Sequence, residues 1–128
     1  MEVATFPDVE DLIRVYLGEK LPVPVSLERP GQPAAGHVLV WRAGGTRDRL
    51  VDRPMVNIEA WHARGGRALA LASDATDYLL ALGGNSLDGW QITGAHGIGG
   101  VASLPDPRWP GVARYTAMVE LRVRGVRR

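Results

Sequence analysis

Ala113-Arg114-Tyr115-Thr116-Ala117-Met118-Val119-Glu120-Leu121-Arg122-Val123-Arg124 is the longest alternating segment of the chain. Ala113, Tyr115, Ala117, Val119, Leu121 and Val123 point one way, and Arg114, Thr116, Met118, Glu120, Arg122 and Arg124 the other. A period of two with one apolar side is the pattern of a half-buried strand. Pro54 to Trp61 (PMVNIEAW) repeats it, with Val56, Ile58 and Ala60 against Asn57 and Glu59. His37 to Arg42 (HVLVWR) is mostly apolar and reads as a strand buried on both faces. Val23, Val25 and Leu27 alternate over a shorter stretch, and Pro22 and Pro24 place that strand at an edge, because proline cannot donate to a ladder. Trp90, Ile92 and Gly94 give the last strand.

In two places the period lengthens to that of a helix. After Pro7, the residues Val9, Leu12, Ile13, Tyr16 and Leu17 recur at helical spacing, with Glu10 four residues before Arg14 and a stop at Gly18 or Leu21-Pro22. Ala68, Leu71, Ala72, Ala75, Leu79 and Leu82 form the inner stripe of a second helix ended by Gly83-Gly84, and its small side chains let it sit close to a sheet. The order is helix, three strands, helix, two strands. It predicts an α+β fold in which two helices flank a mostly antiparallel sheet of about four to five strands.

A chain of 128 residues is sized for a single domain, 1–128. It has no cysteine, so disulfides, thiolate metal sites and a thiol nucleophile are excluded. Fifteen basic residues stand against 14 acidic ones, a net charge of +1, which argues against a protein that coats nucleic acid. Fourteen of the fifteen are arginines. The N-terminus lacks a basic region followed by an apolar run, and no stretch reaches the roughly 18 apolar residues of a membrane span. The expectation is a soluble protein made in a cytoplasm, with no membrane partner.

Searches for chemistry return little. Gly97-Ile98-Gly99-Gly100-Val101-Ala102 fits a dinucleotide-binding pattern, but that pattern needs a helix to follow, and Pro105, Pro107 and Pro110 forbid one. His37, His62 and His96 lack metal-ligand spacing. Ser26, Ser73, Ser86 and Ser103 lack a nucleophile elbow, and Asp74 and Asp77 read as a solvated helix face. The expectation is no enzyme, no cofactor and no metal.

Two segments read as contact surfaces. Ala43 to Arg53, an extended hairpin or loop, interleaves Arg47, Asp48, Arg49, Asp52 and Arg53. The polar side of the last strand carries Arg114, Met118, Glu120, Arg122 and Arg124. An arginine and methionine face of this kind suits a subunit contact as well as it suits water.

The chain resembles the tail terminator proteins of long, non-contractile-tailed phages, especially those infecting actinobacteria. The likeness runs through Asp8-Val9-Glu10-Asp11-Leu12 of the first helix, Arg29-Pro30-Gly31, Gly44-Gly45 and Asp52. It continues in Glu59-Ala60-Trp61, the Ala/Leu helix, Pro105-Asp106-Pro107 and Arg114-Tyr115, and covers nearly the whole chain. The resemblance implies a structural virion protein that forms a ring, commonly a hexamer, on the end of the tail tube. There it stops polymerisation and presents a surface for head joining. The implied partners are other copies of the chain, the major tail tube protein and the head-tail connector, with DNA passing through the ring unread. The implied location is the neck of the virion. A ring with unlike neighbouring faces needs two patches per subunit. The charged hairpin segment and the Gly94–Gly111 loop, with His96, Arg108 and Trp109, are the candidates. Neck proteins that close the head share much of this layout and form the alternative. A small nucleic-acid-binding module using Arg114, Arg122, Arg124, Arg127 and Arg128 is the alternative from another class.

Overall fold

A computed structural model describes residues 3–127. Elements run in the order β1 (Ala4–Thr5), α1 (Val9–Lys20), β2 (Val25–Ser26), a 3-10 turn (Pro33–Ala35), β3 (His37–Arg47), β4 (Val51–His62), α2 (Gly65–Leu80), β5 (Asn85–Leu87), β6 (Trp90–Gly97), β7 (Ala102–Ser103), β8 (Ala113–Arg124) and β9 (Val126–Arg127). The fold is α+β, as the sequence predicts.

The main sheet has the order β2-β3-β4-β8-β6-β5, and β7 pairs with β8 beyond the end of β6. All its pairings are antiparallel except β2 with β3. The two longest alternating segments are central neighbours: β4 lies against β8 from Val51↔Arg124 to His62↔Ala113. Register then carries the alternation across the sheet. Val38, Val40, Val56, Ile58, Ala117, Val119, Leu121 and Val123 face the helices and form the core with Ile13, Leu17, Ala72, Ala75 and Leu79. A strand shifted by one residue would put that whole set into water, so the pattern fixes the register.

Asp8 caps α1 by accepting the Asp11 N–H at 3.3 Å. Glu10 and Asp11 in the first turn and Lys20 in the last suit the helix dipole. Ala68, Ala72 and Ala75 of α2 are fully buried, which is how that helix approaches β4 and β8 closely. The helices meet where Tyr16 donates its hydroxyl to the Tyr78 carbonyl at 3.1 Å, their rings edge to face.

Nine strands form among the described residues, more than the four to five expected; the additions, β1, β5, β7 and β9, are two- or three-residue pieces. Pieces this short leave no period to read. The strand expected over 23–27 shrinks to Val25–Ser26, because Pro22 and Pro24 lack donors. Of the extended hairpin or loop expected over Ala43–Arg53, the hairpin is what forms: strand continues through Arg47 and only Asp48–Leu50 turns. His96, expected in a loop, lies within β6.

Candidate functional site

Three buried carboxylates organise the polar surface, Asp52 on one face of the sheet and Glu59 and Asp106 on the other. Asp52 sits on the helix side of β4 with no exposed area. Arg42 grips it in a two-pronged pair, Nη1 to Oδ2 at 2.7 Å and Nη2 to Oδ1 at 2.8 Å, and Arg47 Nη2 adds a third bond at 2.9 Å. Arg42 and Arg47 are an odd number of residues apart and in a regular strand would face opposite ways. A bulge between Arg42 and Gly45 reverses the alternation, so both reach Asp52. The bulge requires Gly44 and Gly45 at φ of 111° and 101°. Glu10 of α1 accepts the N–H of Arg42 at 2.9 Å, and the Phe6 ring lies 4.4 Å from the Arg47 guanidinium carbon. Burial alone would raise the Asp52 carboxyl, but the hydrogen bonds from Arg42 and Arg47 outweigh it and hold the group below the ordinary carboxylate range. The base of the β3–β4 hairpin is thereby fixed to α1 and to the N-terminal segment.

On the other face, Glu59 accepts Trp41 Nε1–H at 2.9 Å and Arg114 Nη1 at 2.8 Å. Arg114 also donates Nε–H to the Leu104 carbonyl at 2.6 Å and approaches Asp106 at 3.8 Å. Asp106, buried in the loop before β8, is held by Arg108 through Nε, Nη2 and the backbone N–H, and by Arg29 at 3.5 Å. The Arg108 bonds lead in pulling its carboxyl down to about 2. Trp61 is fully buried on this face, with the Arg114 guanidinium 5.9 Å from its ring and His37 against its edge. This chain of contacts ties the 104–109 loop and the Arg29 loop to the sheet.

The candidate residues therefore divide. Asp52 and Arg114 are consumed inside the subunit, and Arg47 and Arg108 each complete an internal pair with a buried carboxylate. Trp109 is half-buried, its backbone N–H given to the Asp106 carbonyl. Asp48 closes the hairpin turn, accepting the N–H groups of Leu50 and Val51 and pairing with Arg53 at 3.1 Å, so its carboxyl falls to about 2. The outward face of β8 stays open: Arg122 and Arg124 are exposed, Met118 and Glu120 half-buried, and His96 of β6 lies 3.7 Å from Glu120. Arg49 stands exposed at the hairpin tip. Arg128 of the alternative reading lies outside the described residues.

Sequence reasoning missed Glu59, Asp106, Trp41, Arg42 and Arg29 as site residues. The signal was present for Glu59, a carboxylate between Ile58 and Ala60 on a buried strand, which demands a cation. Its partner Arg114 is 55 residues away and invisible to local pattern.

One nucleophile and base pair does come together. Ser26 Oγ lies 2.7 Å from His37 Nε2, but the hydroxyl donates to the Glu28 carbonyl at 2.5 Å. His37 Nε2 is then the donor to Ser26, the tautomer that cannot take its proton. Among the described residues no group of three or more His, Asp or Glu side chains is placed to hold a metal, and no helix is long and apolar enough to cross a membrane.

No protein-family model matches the sequence, and no curated protein matches it. Among solved structures, the chain is similar to one from a structure described as "Virion of native gene transfer agent (GTA) particle". The match covers 88% of this chain and 84% of that one, with a TM-score of 0.56 and 18% sequence identity. At that identity the likeness establishes a shared fold: this chain folds as a component of a virion particle does.

Proposed function

We propose that the chain is a structural virion protein, the tail terminator of a long non-contractile tail: a ring on the tube end that stops polymerisation and receives the head. One observation carries the reading most. Most of the chain, 88% of it, shares its fold with a chain of a gene transfer agent virion particle. The residue likeness to tail terminators points the same way. Its motif residues Asp52, Glu59, Asp106 and Arg114 are those that fix the hairpin and the long loop to the sheet. In this reading the chain catalyses nothing. Its work is geometric: two ordered projections on a rigid core, able to meet a neighbouring copy, the tube and the connector.

The test is a phage lacking a functional copy of this chain. The expected result is tail tubes of uncontrolled length that do not join heads. Tubes of normal length that fail to join filled heads would assign the chain to head closure instead. Normal infectious particles would remove the virion role altogether.

A further inference from the structure

We infer that the β3–β4 hairpin tip of one copy docks into a groove beside α1 of the next copy. The inference rests on the ring reading and names the contact that closes it. At the tip, Leu50 is 55% exposed, and Arg49 beside it has no ion pair among the described residues. The other charges of the segment are already paired, Arg47 with Asp52 and Arg53 with Asp48. The tip thus offers one apolar side chain and one unpaired cation.

A groove with the opposite character runs between α1 and the β5–β6 turn. Its floor is Leu12, Val15, Tyr16 and Leu87, and its rim is Asp11, Glu19 and Asp88. Val15 is 44% exposed although it lies on a helix that buries Val9, Ile13 and Leu17. Asp11 is paired with Arg14, while Glu19 and Asp88 have no ion pair among the described residues. An apolar floor inside an acidic rim fits a leucine beside an arginine, and charge of opposite sign sets the register of such a contact.

The positions suit a side-by-side ring. Val51 pairs with Arg124, and the adjacent Val123 pairs with Ile92 near the start of β6. The hairpin tip and the β5–β6 turn therefore leave the sheet at the same end. They are separated across it by the order β4-β8-β6-β5, about 14 Å at ~4.8 Å per strand. Two unlike, complementary patches on one subunit make a head-to-tail contact, the kind that repeats around a ring.

The chain has no cysteine, so introduced pairs report cleanly. A full-length Leu50→Cys/Val15→Cys protein, oxidised at concentrations where the wild type assembles, is expected to give a ladder of covalent multimers. Each single variant should give no species above a dimer, and Leu50→Cys combined with Leu69→Cys on exposed α2 should give no ladder. Arg49→Glu should need a roughly tenfold higher concentration to assemble, and adding Asp88→Arg should recover most of the loss. Assembly of the wild type without a ladder from the Leu50/Val15 pair overturns this docking and leaves the ring. A wild type that does not assemble, even on tail tubes, overturns both.

Discussion

The Asp52 carboxylate, without exposed area, accepts three guanidinium hydrogen bonds, so its removal strands the mostly covered Arg42 guanidinium at the base of the hairpin, while Arg47 can turn to water. Breaking one side of a buried pair costs more than the pair contributes, because the remaining charge has lost its compensation. Asp52→Ala is expected to destabilise the fold by about 3 kcal/mol in denaturant unfolding. A loss under ~1 kcal/mol, the range of surface pairs, would contradict the account of this residue. Asp106 supports a pH prediction. Its folded-state carboxyl lies at about 2 against an ordinary 3.8, so the native state favours the ionised form. That contribution is complete above the ordinary value and is lost as the pH falls from about 4 towards 2. Melting temperatures measured over this window should fall more steeply for the wild type than for Asp106→Asn. Parallel curves would show that Asp106 takes no part in acid sensitivity.

At the scale of elements, the β3–β4 hairpin depends on its bulge. A Cβ on Gly45 would meet the Arg53 carbonyl oxygen across the ladder, at a φ of 101° that side chains rarely adopt. Gly45→Ala is expected to cost about 2–4 kcal/mol and to loosen the tip, seen as faster amide exchange at Arg47 and Val51. Unchanged exchange would mean the bulge does not hold the tip. This hairpin also marks the limit of what the sequence discloses. The alternation of 113–124 and 54–61 and the alanine stripe of α2 were legible, because burial on one face leaves a period in the residues themselves. Gly44 and Gly45 read as the start of an extended hairpin or a loop, since glycine signals a break without saying whether a ladder continues past it. Asp52 read as a contact residue for a related reason. The alternation read over 54–61 stops short of it, although β4 runs unbroken from Val51 and puts Asp52 in phase with Val56, Ile58 and Ala60. Glu59 and Arg114 meet only because β4 and β8 are neighbours, a fact of topology rather than of spacing.

For the whole molecule, the charges divide between work inside the subunit and surface left over for contacts. Arg42, Arg47, Arg108 and Arg114 engage buried carboxylates, which accounts for part of the arginine excess without any polyanion. A planar guanidinium makes two-pronged carboxylate pairs that lysine cannot. The remaining exposed cations include Arg49 at the hairpin tip and Arg122 and Arg124 on the open sheet face, while Asp11, Glu19 and Asp88 line the α1 groove. Unlike surfaces on one rigid subunit favour head-to-tail association over symmetric pairing. Three-dimensional imaging of the head-proximal end of purified tails puts the ring to the test. The predicted result is a closed ring of this fold capping the tube, each hairpin tip seated against α1 of its neighbour. A tube end without this chain, or one bearing it as isolated copies that do not touch, would contradict the claim.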